Sequence, residues 1–94
     1  MALDDAVGTI LDTLRREGLE ENTLVIFASD NGGATYTEAA DNGPLEGGKM
    51  TNFEGGLNVP LLMRWPEAIE PGSRYIPDVS LADLFPTAAA AARM

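Results

Sequence analysis

Hydrophobic residues near the start of the chain recur with the spacing of an α-helix. They lie three or four positions apart and form one stripe: Leu3, Val7, Ile10, Leu11 and Leu14. Gly18 follows the stripe, where a left-handed residue commonly ends a helix, and Leu19 can then fold back on Leu14. The pattern predicts a helix over about residues 3–17.

The second feature is a continuous apolar run at Leu24–Ala28, followed by a polar and glycine-rich segment. The run predicts a strand over residues 23–29, buried on both faces as in a parallel sheet flanked by helices. In such sheets, ligands bind at the carboxyl ends of the strands. Asp30 and Asn31 stand there and offer hard oxygen ligands that suit Ca²⁺ or Mg²⁺. Because these residue types are also common in turns, a metal site and a plain turn both remain open.

Residues 30–58 form a long segment without helical or strand periodicity, and seven of the ten glycines lie in it. Such segments in compact domains are usually functional or disordered, and paired glycines favour close backbone approach. A second apolar run predicts a strand over residues 59–65. A capping box at residues 80–83 precedes an alanine-rich helix predicted over residues 84–93. Helices combined with buried strands predict an α/β fold.

Composition limits the kinds of function. The chain of 94 residues carries 15 acidic and 6 basic residues, for a formal net charge of -9. This charge would repel the phosphate backbone of nucleic acids, so we expect no nucleic-acid partner, whereas a bound cation would relieve self-repulsion. The chain has no cysteine and no histidine, which excludes disulfides, thiolate nucleophiles and the commonest general base. No segment approaches the roughly 20 apolar residues of a membrane-spanning helix.

Five segments occur in an order that resembles the sulfatase family. They are residues 24–33 (LVIFASDNGG), 43–49 (GPLEGGK), 53–60 (FEGGLNVP), 64–66 (RWP) and 79–87 (VSLADLFPT). The resemblance covers nearly the whole chain. It implies that residues 1–94 are a single partial domain from the carboxyl-terminal side of the catalytic domain. The implied fold is an alkaline-phosphatase-like α/β sandwich with mainly parallel strands flanked by helices.

The resemblance also implies roles for three residues. Asp30 and Asn31 match the second pair of metal ligands in the family, whose members usually bind Ca²⁺, with Mg²⁺ as the alternative here. Lys49 matches the lysine that binds the sulfate group of the substrate. These residue types suit the roles, because hard oxygens bind Ca²⁺ and an ammonium group forms charge-assisted hydrogen bonds with sulfate. On base rates alone, Lys49 would instead be a solvated surface lysine.

Further polar residues lie in the glycine-rich segment. We expect Glu54 to be a structural acid that hydrogen-bonds the glycine loop, and Asp41 and Asn42 to lie on the loop surface. Two positions depart from the resembled family, which commonly has arginine where this chain has Glu46 and Asn58. Loss of two cations near an anion site would weaken the attraction for sulfate, so these departures bear on the substrate class.

The nucleophile of the resembled family is a formylglycine made from Cys or Ser in a Cys/Ser-x-Pro-x-Arg motif, which this chain lacks. The family's catalytic histidines are also missing. We therefore expect the chain to contribute part of a sulfate-ester hydrolase and to be inactive alone. Exposed strand edges are expected to promote homo-oligomers. The alternative is a non-catalytic acidic module that binds a cation or a partner.

Overall fold

The computed structural model describes residues 2–93, so Met1 and Met94, the ends of the predicted domain, lie outside the described residues. Its helices and strands are α1 (Ala2–Arg16), β1 (Val25–Ala28), α2 (Glu54–Leu57), β2 (Leu61–Arg64) and α3 (Leu84–Ala91), with 3-10 turns at Thr35–Thr37 and Leu81–Asp83. The chain forms two compact units. One comprises the chain up to Val25 and from Met63 onward, and the other is Ile26–Leu62.

α1 ends in the type of cap that the sequence predicts. Gly18 adopts a φ of +69°. The N–H of Leu19 donates to the carbonyl oxygen of Leu14 at 2.9 Å, and the N–H of Gly18 donates to that of Arg15 at 3.2 Å. These bonds satisfy carbonyl groups that the helix itself leaves without partners. No described residue of α1 is buried, and its hydrophobic stripe is only partly covered: Leu3 and Ile10 are exposed, and Val7, Leu11 and Leu14 are half-buried.

β1 and β2 pair in a two-stranded sheet, and the strands run antiparallel. The N–H of Ser29, just after β1, donates to the carbonyl oxygen of Pro60, just before β2, at 3.2 Å. The end of one strand therefore lies opposite the start of the other. The prediction of mainly parallel strands is wrong for this pair. Parallel neighbours need a connection that crosses back to the end of the sheet where the first strand starts. The segment between these strands instead stays at the end where β1 finishes, so β2 starts there and runs the opposite way.

The two strands are half-buried, and the prediction that β1 is buried on both faces is wrong for the described chain. Phe27 and Leu62 lie opposite each other in this register and are 39% and 62% exposed. Among residues 2–93, only Gly48, Gly55 and Gly56 are buried. An apolar run shows that a strand has hydrophobic faces, but other elements must be present to cover them.

α3 follows a 3-10 turn that the predicted capping box stabilises. The Oγ of Ser80 accepts from the N–H of Ala82 at 3.2 Å, and the carboxylate of Asp83 accepts from the N–H of Ser80 at 2.8 Å. The described residues of α3 are not buried either, and Phe85 is 84% exposed. Across residues 2–93, every helix is too short or too polar to cross a membrane.

Candidate functional site

The end of β1 presents two polar side chains next to each other. Asp30 is exposed and Asn31 is half-buried. The Nδ2 group of Asn31 donates a hydrogen bond to Oδ1 of Asp30. The Oγ of Ser29 donates to the carbonyl oxygen of Asn31 at 2.7 Å. The strand end therefore holds a carboxylate beside an amide, and solvent can reach the carboxylate.

Close backbone packing behind the strand end requires glycine. The N–H of Gly32 donates to the carbonyl oxygen of Gly56 at 3.0 Å. A Cβ atom at position 32 would lie 1.7 Å from the carbonyl oxygen of Gly55, far inside any allowed contact. The N–H of Gly55 in turn donates to the carbonyl oxygen of Glu46 at 2.7 Å. Contacts between backbones thus hold the strand end, and a larger side chain would break them.

Lys49 lies in a tight turn that is bonded to the same loop. Its N–H donates to the carbonyl oxygen of Gly33 at 3.1 Å. A bond from the N–H of Thr51 to the carbonyl oxygen of Gly48, at 3.0 Å, closes the turn. Met50 has a φ of 74°, a left-handed conformation that non-glycine residues seldom adopt. The backbone of Lys49 is therefore held in place by the fold of the loop.

The Lys49 side chain is exposed. Within residues 2–93 its ammonium group has neither an ion-pair nor a hydrogen-bond partner. By contrast, both Arg15 and Arg64 are paired with carboxylates. An ammonium group without such a partner keeps its three N–H donors available for an anion.

The prediction that Asn42 lies on the loop surface is wrong. Its side chain is half-buried, and its Oδ1 accepts from the N–H of Gly33 at 2.9 Å. Its Nδ2 donates to the carbonyl oxygens of Gly33 at 3.3 Å and Gly47 at 2.8 Å. Asp41 is exposed, as expected, and accepts from the N–H of Gly43 at 2.9 Å. Sequence reasoning missed Asn42 because asparagine is equally common in solvated turns.

The prediction that Glu54 hydrogen-bonds the glycine loop is also wrong for its side chain. The exposed carboxylate accepts from Nδ2 of Asn58 at 3.1 Å. The two residues are four positions apart, at the start of α2 and just after its end, where helical geometry brings side chains together. The Asn58 amide is thus hydrogen-bonded to an acidic side chain of the glycine-rich segment. Glu46 is exposed and contacts the loop through its carbonyl oxygen.

In the unit that contains α1, the Glu20 side chain forms ion pairs with Arg15 near the end of α1 and with Arg64 in β2. Its carboxylate accepts hydrogen bonds from Arg64 and, at 3.4 Å, from Arg15. The hydrogen bond from Arg64 lowers the pKa of Glu20 below its usual value. Burial acts in the opposite direction, and the positive charges of the two arginines add to the lowering. The network is a structural ion pair whose carboxylate stays ionised at neutral pH.

Asp30 and Asn31 suit a hard cation in their chemistry but supply only part of a ligand set. Because the Asn31 nitrogen lies against Oδ1 of Asp30, the remaining oxygens are Oδ2 of Asp30 and Oδ1 of Asn31. Ca²⁺ takes about six to eight oxygen ligands. Within residues 2–93, no three or more acidic, histidine or cysteine side chains group in a way that could hold a metal. A cation here would need ligands from elsewhere.

These features define an α/β protein with two polar groups next to a glycine-rich loop. The oxygens of Asp30 and Asn31 suit a cation, and the ammonium group of Lys49 suits an anion. The chain matches the family model described as Sulfatase over residues 1–94. The chain therefore belongs to the sulfatase family, and the resemblance seen in its sequence is confirmed.

Known sulfatases are similar to nearly the whole chain. N-acetylgalactosamine-6-sulfatase of Mus musculus is 43% identical over 88 residues, which cover 90% of this chain and 17% of that protein. Arylsulfatase A of Homo sapiens is 46% identical over 94 residues, which cover 98% of this chain and 18% of that protein. The chain thus spans less than a fifth of the length of these relatives.

A solved structure has the same fold as the chain. It is the crystal structure of Ps i-CgsB in complex with k-i-k-neocarrahexaose, with a TM-score of 0.91 and 42% sequence identity. The match covers 98% of this chain and 20% of the solved chain. The helices and the small antiparallel sheet described above therefore correspond to one segment of a larger α/β protein.

Proposed function

We propose that this chain supplies the cation- and anion-binding part of an enzyme that hydrolyses sulfate esters. The observation that carries the proposal is the backbone hydrogen bond between Lys49 and Gly33. It ties the turn that bears the lysine to the loop that begins with Asp30 and Asn31. Membership of the sulfatase family supports the same reaction.

In the proposed reaction, Lys49 binds and orients the sulfate group of the substrate. Its ammonium group offers three N–H donors and a full positive charge on a flexible stem. Hydrogen bonds from a charged donor to an anionic oxygen are short and strong. They strengthen as negative charge develops on that oxygen, so the same contact would favour the transition state.

Asp30 and Asn31 would hold a divalent cation, for which we propose Ca²⁺, with Mg²⁺ as the alternative. When bound, the cation supplies positive charge that polarises the sulfate ester. The proposed nucleophile is a formylglycine from outside these 94 residues, which contain no Cys/Ser-x-Pro-x-Arg motif. In the whole enzyme, β1 would lie in a sandwich of mainly parallel strands, and β2 would be its antiparallel neighbour.

The proposed substrate class is the sulfate esters, without a particular alcohol. Relatives are named N-acetylgalactosamine-6-sulfatase, steryl-sulfatase and arylsulfatase. These names share the sulfate group and differ in the alcohol. Lys49 is proposed to contact the shared group. The alternative of a non-catalytic binding module gains no support from these relatives, because each carries the name of a sulfatase.

A chimera with human arylsulfatase A tests the proposal. The aligned segment of the host, to which this chain is 46% identical, is replaced by this chain, and turnover of a chromogenic aryl sulfate is measured. We expect the chimera to be active and Lys49→Ala to lower kcat/KM by about 10²-fold, the effect of losing one donor to a developing charge. Lys49→Arg should retain more activity because it keeps the charge.

Arg74→Ala provides the matched control, since Arg74 is also an exposed cation without a described partner. It should leave kcat/KM within about twofold of the chimera. Two results would overturn the proposal: equal activity of the Lys49→Ala chimera, or a folded chimera without turnover when the unmodified host is active.

A further inference from the structure

We infer that Asn42 is a positioning residue that sets the place of Lys49 relative to the strand end bearing Asp30 and Asn31. The inference deepens the proposed function and rests on it for the roles of those three residues. The geometry of Asn42 itself does not depend on that proposal. The described hydrogen bonds of the Asn42 side chain all go to backbone groups, so its effect must pass through that backbone.

The Asn42 side chain joins two stretches of backbone that are distant in sequence. Gly33, on one side, gives both of its polar backbone groups to Asn42: its N–H donates to Oδ1 at 2.9 Å and its carbonyl accepts from Nδ2 at 3.3 Å. On the other side, the carbonyl of Gly47 accepts from the same Nδ2 at 2.8 Å. Gly33 is two residues after Asn31, and Gly47 is two residues before Lys49.

The carbonyl oxygen of Gly33 is shared by Asn42 and Lys49. It accepts from Nδ2 of Asn42 and from the N–H of Lys49, at 3.1 Å. A carbonyl group has two lone pairs, so both bonds can form together. Asn42 therefore fixes the acceptor to which the backbone of Lys49 is bonded. Without Asn42, the Gly33 carbonyl would be held less firmly, and its hydrogen bond with the N–H of Lys49 would weaken.

Only an amide side chain can accept from the N–H of Gly33 and also donate to the carbonyls of Gly33 and Gly47. Aspartate at position 42 could accept from the N–H of Gly33 but could not donate to the carbonyls of Gly33 and Gly47. Alanine could do neither, and the N–H of Gly33 and the carbonyl of Gly47 would lose their described partner. The Cβ positions of Gly33 and Gly48 lie 2.9 Å from the Asn42 amide atoms, so a larger residue at either position would displace the amide.

Amide hydrogen exchange of the 94-residue chain tests the geometry. In Asn42→Ala, we expect the protection of the Gly33 and Lys49 amides to fall about tenfold, the effect of losing one hydrogen bond. In Asn42→Asp, Gly33 should remain protected and Lys49 should not. The amide of Gly55 is an internal control, because it bonds to Glu46 and not to Asn42.

Asn52→Ala is the matched variant, since Asn52 lies exposed in the same unit and makes no described side-chain hydrogen bond. It should change none of the three amides. Unchanged protection of Lys49 in Asn42→Ala would overturn the inference. A parent chain in which Gly33 and Lys49 exchange freely would overturn it too, because the bonds would then be absent.

A double-mutant cycle in the arylsulfatase A chimera separates positioning from general stability. If Asn42 acts through Lys49, Asn42→Ala should lower kcat/KM about tenfold when Lys49 is present and less than about twofold when it is alanine. An equal loss in both backgrounds would overturn the positioning role. If Lys49→Ala alone had no effect, the proposed function would fail, while hydrogen exchange would still decide whether Asn42 holds the loop.

Discussion

The N–H of Lys49 donates a hydrogen bond to the carbonyl oxygen of Gly33 at 3.1 Å. This bond joins two segments that are sixteen residues apart in the chain, and it leaves the Lys49 side chain exposed. The backbone of the candidate anion-binding residue is therefore held by this bond, whose acceptor also accepts from the Asn42 side chain. The bond brings the Lys49 turn beside the loop that starts at Asp30. Because the candidate cation and anion groups are different side chains, cation and anion binding can be tested separately by changing one side chain at a time.

Calcium titration of the chain tests the strand end. Because Asp30 and Asn31 supply only part of a ligand set, we expect weak binding, with a Kd no tighter than about 1 mM. Asp30→Ala should abolish the binding heat in calorimetry because it removes the only carboxylate at the strand end. Asp78→Ala, which removes an equal charge from another exposed position, should leave it unchanged. Equal losses in both variants would indicate non-specific attraction to the acidic chain.

Two glycine-to-alanine variants should change stability in opposite directions. Gly32→Ala places a Cβ atom 1.7 Å from the carbonyl oxygen of Gly55, so we expect a loss of about 2 kcal/mol or more in the free energy of unfolding. Gly8 lies inside α1 with no atom within 4 Å of its Cβ position, and Gly8→Ala should add roughly 0.5–1 kcal/mol. Urea denaturation measures both. Similar effects of the two changes would contradict the described packing of the glycine loop.

Acid should weaken the link that Glu20 makes with Arg64. The hydrogen bond from Arg64 holds the pKa of Glu20 below its usual value. A carboxylate with a lowered folded-state pKa stabilises the fold above its unfolded-state pKa of about 4.3. That contribution is lost as the pH falls through the lower folded-state value. We expect the urea midpoint of the parent chain to decrease over this range.

Glu20→Gln should lower the urea midpoint at pH 7 and flatten its decrease below about pH 4. Glu21→Gln is the matched control, because Glu21 is exposed and its side chain has no described partner. It should follow the parent chain. A Glu20→Gln profile parallel to that of the parent would show that the ion pair does not contribute to the pH dependence.

The hydrophobic pair on the exposed face of the sheet should promote self-association. Phe27 and Leu62 are cross-strand neighbours and remain 39% and 62% exposed, and each strand has a free edge in the two-stranded sheet. We expect sedimentation to give masses above the 10.0 kDa of one chain. Leu62→Lys should reduce association, whereas Met50→Lys, at an 88% exposed loop position, should not. A single monomeric species for the parent would contradict this prediction.

The local elements and the candidate site residues could be predicted from the order of the amino acids. The apolar stripe and Gly18 predict α1 and its cap because both depend on residues within a few positions of one another. The two apolar runs predict β1 and β2 for the same reason. The order of the motifs indicated the sulfatase family and singled out Asp30, Asn31 and Lys49.

The pairing of these elements and the role of Asn42 in the loop depend on contacts between distant residues. An apolar run looks the same whichever way its neighbour runs, so the antiparallel pairing of β1 and β2 could not be read from it. Asn42 looked like a turn residue because its partners, Gly33 and Gly47, are nine and five positions away. Hydrogen bonds of that kind depend on the path of the whole loop, and local sequence preferences do not specify that path.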